Sequence, residues 1–239
     1  MLGAERREDT MKQSQDVMFA KLADFKIDAE ALRAHFLEHV KKLPSTPYRD
    51  NRVDYIGWAV TSRDGTLEDG IRRISGAQPN VRGVQPTDAC SGYLAEVMDA
   101  LRTSGLKPYR VRIMQLESEG AEMPLHNDAA KETWRLHIPI ITNPNCFFEW
   151  QRADGSMESV HLPADGSAWL VRVDVNHRAV NRSDEPSNRV HLLMGLGTNP
   201  AFERLTQPWL PVIRPDTSSE FEAFPAASRQ PSGQPTDVQ

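Results

Sequence analysis

The sequence predicts a mainly β domain, a sandwich or barrel, with helical support ahead of it. Three observations predict it. Short apolar runs of strand length recur from Tyr109 onward, turn residues separate them, and the first hundred residues carry two helical stripes instead. At 239 residues the chain is of single-domain size for such a fold. A hydrophobic content of 39% and a charged content of 26% describe a globular chain.

Residues 1–15 read as a flexible tail, and residues 16–215 as one domain. Asp28 is a candidate N-cap for a helix with Leu32, Phe36, Val40 and Leu43 on one stripe, stopped by Pro44 and Pro47. A strand follows over Arg52–Thr61, with Asp64-Gly65 as a turn. Thr87 or Asp88 then opens a second helix bearing Leu94, Val97, Met98 and Leu101, with Gly105 at its C′ position. The β runs are Arg110–Glu117, Thr133–Ile141, Cys146–Arg152, Glu158–Leu162, Ser167–Val175 and Arg189–Gly195. Asn143-Pro144, Asp154-Gly155 and Asp165-Gly166 mark turns between them. Phe202, Leu205, Trp209, Leu210, Val212 and Ile213 are apolar enough to pack back on the body, and residues 216–239 read as disordered.

Charge and cysteine content exclude several classes. A net charge of −5 argues against general nucleic-acid binding. Two cysteines, Cys90 and Cys146, are too few for a disulfide scaffold and suit free thiols in a reducing compartment. No apolar run approaches the ~18 residues of a membrane span. The opening MLGAERREDTMKQSQ lacks the apolar core of a secretory signal, so a cytoplasmic protein is expected.

Period-two reading puts Arg110 with Arg112, Arg135 with His137, Arg172 with Asp174, and Arg189 with His191 on shared strand faces. The opposite faces are apolar: Trp134, Leu136 and Ile138; Val171, Val173 and Val175; Val190, Leu192 and Met194. Alternation alone favours polar faces turned to water, as in an antiparallel sheet with one wet side. The other reading is a barrel with a polar, cationic interior that holds an anionic ligand.

His126-Asn127-Asp128 can present an imidazole and a carboxylate to one point, and a distant His177 would complete two histidines and one carboxylate. That set leaves one face of a metal open and suits non-haem Fe(II) oxygen chemistry. With 7 histidines and 33 acids in 239 residues, about one His-x-acid match is expected by chance, so context carries the weight. His35 and His39 read as ordinary helix histidines and His161 as structural. His191 reads as a group supporting the site or as a buried, satisfied histidine.

The context is MPLHNDAAKETWRLHIPIITNP followed by HRAVNRSDEPSNRVHLLMG. In order these give H-x-D, R-x-H-x-P, H-x-x-x-N and R-x-H-L, and YIGWAVTSRDG precedes them. The set resembles the aspartyl/asparaginyl β-hydroxylase-like family of Fe(II)/2-oxoglutarate-dependent dioxygenases, most of all its bacterial proline-hydroxylase-type members, over roughly Tyr55–Gly197. The resemblance implies a double-stranded β-helix (jelly-roll, cupin-like) core. It implies Fe(II) held by His126, Asp128 and His177, and 2-oxoglutarate held on the metal and by Arg189, with His137 at a position that also contacts this cosubstrate. Asn181 fits the pattern without an implied role. The implied reaction uses O2, converts 2-oxoglutarate to succinate and CO2, and hydroxylates an unactivated C–H bond. An aspartate at 128, where related halogenases carry a small residue, argues for hydroxylation.

The expected substrate is a small amino acid or amino-acid derivative bearing a carboxylate. Arg110, Arg112 and Arg172 are candidates to bind it, or else to pair with Asp174 or Glu149. Asp or Asn side chains of a peptide are the alternative substrate, and a non-catalytic metal-binding jelly roll is the alternative class.

Overall fold

A computed structural model describes residues 17–48, 55–69, 71, 83–117, 121–128, 134–183 and 187–196. The expected tails, the apolar residues between Phe202 and Ile213, and residues 52–54 and 133 of two expected strands lie outside the described residues.

Twelve strands are described: β1 (Phe19–Lys26), β2 (Thr46–Pro47), β3 (Tyr55–Ala59), β4 (Thr61–Ser62), β5 (Gln85–Pro86), β6 (Pro108–Leu116), β7 (Trp134–Ile141), β8 (Cys146–Gln151), β9 (Met157–Val160), β10 (Ser167–Arg172), β11 (His177–Asn181) and β12 (Arg189–Leu196). A seven-stranded sheet runs β1-β10-β7-β12-β6-β3-β2, and a three-stranded sheet runs β11-β8-β9. Every pairing is antiparallel. The core is the expected double-stranded β-helix.

Two helices support the larger sheet. In α1 (Ala29–Glu38) the Asp28 carboxylate caps the first turn by accepting from Ala31 N at 3.0 Å. The stripe continues through Val40 in a 3₁₀ turn, Val40–Lys42. The second helix, α2 (Gly92–Thr103), starts later than expected, with Ser91 at the N-cap. Thr87 is instead a turn residue: its hydroxyl donates to Ala59 O and accepts from Ala89 N at 3.2 Å. Gly105 takes φ +87° as the C′ residue, and the paired bonds Leu106 N to Leu101 O (3.1 Å) and Gly105 N to Arg102 O (2.9 Å) close the helix. Among the described residues no helix is long and apolar enough to cross a membrane. Cys90 and Cys146 are free thiols.

The expectation that the polar strand faces look to water is wrong. Leu136, Ile138, Ile140, Val190, Leu192, Met194, Val111 and Ile113 form one apolar face, packed with Leu32 and Phe36 of α1 and Leu94, Val97, Met98 and Leu101 of α2. Each fully buried aliphatic side chain there contributes about 1.5–3 kcal/mol relative to exposure. The opposite face, with Arg112, His137, Arg189 and His191 all buried, turns inward toward β8 and β11. There it shares a second core with Phe148, Trp150, Trp169, Met114 and Leu116. All residues of β6 and β12 are buried. Covering one face with helices leaves the other free to form the barrel interior.

Asn181 ties this interior together. Its amide nitrogen donates to Glu117 O (3.0 Å) and Ser187 O (2.7 Å), and its oxygen accepts from Asn143 (3.2 Å) and Ser183 N (3.3 Å). The end of β11 thereby fixes the chain leaving β6 and the chain entering β12. Asn181→Ala leaves these buried groups unpaired and is expected to cost about 2–3 kcal/mol. Urea unfolding of the two proteins checks it.

Candidate active site

The segment 121–128 is not a regular strand, contrary to the simple i, i+2 reading. It is an irregular extended arm laid antiparallel to β11. Asn181 N donates to Ala121 O (2.9 Å), Met123 N to Ala179 O (2.8 Å), and His126 and His177 exchange both backbone bonds (3.1 and 2.7 Å). Asp128 N then donates to Val173 O, just past β10, at 2.7 Å. The arm is pinned by both sheets, and the result is the geometry the spacing predicts. Donor atoms of His126, Asp128 and His177 lie within 4.8 Å of one another.

Each ligand candidate is oriented by a neighbour. His126 Nδ1 lies 2.7 Å from Pro124 O, and His177 Nδ1 lies 2.9 Å from Val175 O. A carbonyl only accepts, so Nδ1 carries the proton in both rings and Nε2 is left as the ligating position. Phe148 stacks on the His177 ring at 5.4 Å between centroids, with 9° between planes. Burial lowers the His177 pKa to about 4, against a smaller raising effect of Val175 O, so its imidazole is neutral and able to ligate. Arg135 donates to Asp128 Oδ2 at 2.7 Å and holds the carboxylate in place.

Deeper in the barrel lie Arg189, His137 and His191. Arg189 is 2% exposed and its Nη2 has no partner; His137 Nε2 and His191 Nε2 are likewise buried and unpartnered. His137 and His191 meet through their Nδ1 atoms at 3.4 Å. His137 stands between the cations of Arg189 and Arg135, yet burial is the first reason its pKa falls well below 6.5. These residues fit a divalent metal with an anionic ligand beside it: two imidazole lone pairs and a carboxylate converge, and orphaned donors line the depth.

The family model for aspartyl/asparaginyl β-hydroxylase matches residues 80–197. That span contains every one of these groups. Over that span the chain is similar to the aspartyl/asparaginyl β-hydroxylase-like family. The His126–Asp128–His177 cluster fits an Fe(II) site with 2-oxoglutarate and O2 as cosubstrates. The fold is shared with a 2-oxoglutarate–Fe(II) oxygenase-family oxidoreductase from Burkholderia pseudomallei, at 15% identity and TM-score 0.51, covering 78% of this chain and 89% of that one. It is also shared with HygX from Streptomyces hygroscopicus, solved with nickel and 2-oxoglutarate, at 9% identity and TM-score 0.50, covering 79% and 86%. No curated protein matches the chain.

The sequence-predicted residues fall into groups. His126, Asp128 and His177 converge. His137 and Arg189 line the same interior, as does His191. Arg172 pairs with Asp174 at 2.9 Å on the neighbouring strand end. Glu149 is taken by Arg178 and Arg182 and is no partner for Arg110 or Arg112. The Arg135–Asp128 pair and the Phe148 stack were not read from sequence. Arg135 was visible in the R-x-H motif, but its partner depends on where the 121–128 arm lands.

The buried histidines set a pH dependence. His137, His177 and His191 have folded pKa values below their unfolded 6.5, so the unfolded chain takes up protons first as pH falls. Their stability contribution is full above about pH 6.5 and is lost below it, by up to about 1.4 kcal/mol per pH unit for each group. Urea midpoints of the metal-free protein should therefore fall between pH 7 and pH 5.5, and fall less in His191→Gln. Equal midpoints at the two pH values would contradict this account.

Proposed function

We propose that His126 Nε2, His177 Nε2 and the Asp128 carboxylate hold Fe(II), that Arg189 and His137 hold 2-oxoglutarate, and that the enzyme hydroxylates a C–H bond of a small amino acid or amino-acid derivative. The observation that carries the reading is the convergence of three donor groups with both histidine tautomers set by carbonyls. Bound Fe(II) and 2-oxoglutarate supply the oxidation, with O2 consumed and succinate and CO2 released.

The chain's own part is orientation, charge and exclusion of water. Pro124 O and Val175 O fix the imidazole planes. Arg135 holds the Asp128 carboxylate through Oδ2 beside the two histidines. The Arg189 guanidinium offers a planar fork that a carboxylate meets in two bonds, and its charge persists even though burial lowers its pKa. His137 offers a neutral N–H on the way to it. A small substrate accords with a site enclosed between two sheets.

Two variants test this. His177→Ala should lose most bound iron and all turnover; iron at wild-type stoichiometry in the purified variant would refute the triad. Arg189→Ala should weaken 2-oxoglutarate by about 2–4 kcal/mol, since a charge-assisted two-bond contact is lost. Titration of the cosubstrate reads this directly, with an unchanged affinity assigning the anchor elsewhere.

A further inference from the structure

Arg112 is an interior cation that the proposed chemistry does not use. It is 5% exposed, and both Nε and Nη1 are buried without a partner. The carboxylates that could have taken it are committed elsewhere among the described residues: Asp128 to Arg135, Asp174 to Arg172, and Glu149 to Arg178 and Arg182. A buried guanidinium without an anion is destabilising, so its retention calls for a ligand.

Arg112 lies where the regular ladder ends. Leu193 of β12 pairs with Arg112, yet Gly195 pairs with Tyr109, so β6 spends one more residue than β12 over this step. Arg110 sits in that bulge at φ +48°, a left-handed conformation that non-glycine residues seldom adopt, and its N–H is fixed by Gly83 O at 2.6 Å. Bulges of this kind re-aim side chains beside sites. Arg112 is the last residue of the unbroken β6–β12 ladder before the bulge, and stands in one cross-strand row with Leu193 and His137. Arg112 and His137 are two strands apart, about 10 Å between backbones. Arg189 lies elsewhere, in the row of Leu116 and Tyr55.

The surroundings connect Arg112 to the metal ligands. Tyr48 and Tyr55 pack edge to face at 5.2 Å. Burial would raise the Tyr48 pKa, but the charges of Arg112, Arg110 and Arg135 outweigh it and lower it, while Asp128 acts on the same phenol in the other direction. The charges of Arg112 and of Asp128 thus both act on the Tyr48 phenol.

We propose that Arg112 is the seat of the substrate's free carboxylate, held two strands across the barrel from His137, so that the enzyme selects small free acids over their amides and over peptides. This rests on the reading of the triad as the iron site and Arg189 as the 2-oxoglutarate anchor.

The test uses the full chain assembled without oxygen with Fe(II) and 2-oxoglutarate, titrated with each common free amino acid, its carboxamide and its N-acyl dipeptide. The readouts are the visible metal-to-2-oxoglutarate absorption band and the melting temperature. At least one free acid should perturb the band saturably, with its carboxamide weaker by about 10- to 100-fold. Arg112→Met should weaken that acid by the same factor, shift the 2-oxoglutarate affinity by less than about threefold, and melt no lower than wild type, because an apolar side chain replaces an unpaired charge. Should Arg112→Met fail to fold, Arg112→Lys keeps the charge, loses the fork, and should weaken the acid by about tenfold.

Carboxamides or peptides binding as well as free acids would overturn the proposal, as would no free acid binding at all. A loss of 2-oxoglutarate affinity in Arg112→Met would also overturn it and give Arg112 to the cosubstrate. Absence of the band in the wild-type protein would refute the iron reading itself, whereas a band indifferent to every acid refutes only the role of Arg112.

Discussion

The two backbone bonds exchanged by His126 and His177 are the constraint on which the site depends. Neither histidine could be aimed by its side chain alone, because each ring has only one nitrogen to give to orientation. The bridge fixes the two Cα positions, and Pro124 O and Val175 O, each two residues before its histidine, then fix the rings. β11 is itself held by β8, and Asp128 is held by Val173 at the end of β10. The three donor groups are therefore referenced to both sheets. A shift of one sheet against the other would separate Asp128 from the histidines.

That arrangement requires a sheet buried on both faces. The outer face is closed by α1 and α2, and the inner face carries arginine and histidine where a protein core would carry aliphatics. Burial charges the fold twice: the histidines must stay neutral, and the arginines must stay ionised without full partners. The apolar interior of Phe148, Trp150, Trp169 and Met114 around them supplies the stability that offsets it. An anionic ligand that pairs the orphaned guanidinium groups would stabilise the folded chain as it binds.

Much of this was legible in the sequence. Asp28, Gly105, Gly65, Gly155 and Gly166 announced their cap and turns because each has a local physical cause, a side-chain acceptor or a positive φ. The strands with β-branched and aromatic content were found within a few residues. β1 was not, because FAKLADFK alternates imperfectly: Lys21 lies over the Trp169 ring and near Asp165, and the strand sits at the sheet edge where charge is tolerated. HRAVN is short and polar, and becomes β11 through pairing with β8. The direction of the strand faces was misread because alternation reports two faces and not which one is covered. The bulge at Arg110 was invisible for a related reason. Period two assumes an unbroken ladder, and an extra residue on β6 is specified by its partner β12, not by its own composition.

Charge balance links the metal candidates to the arginines behind them. Asp128 lies close to two imidazoles and is paired with the Arg135 guanidinium. In the proposed site its negative charge would be shared between a metal and a cation. The pair with Arg135 narrows the carboxylate's motion and lowers its donor strength toward a metal, while the metal-side contact keeps Arg135 from swinging into the interior. Without the carboxylate, Arg135 would remain as a buried cation beside a more positive site, and any small anion present would be drawn to it. The aspartate is therefore needed for electroneutrality as well as for ligation, and the same logic extends inward. Four cations of the barrel are matched in this way: Arg135 by Asp128 and Arg172 by Asp174 within the chain, and Arg189 and Arg112 by ligand carboxylates in their proposed roles.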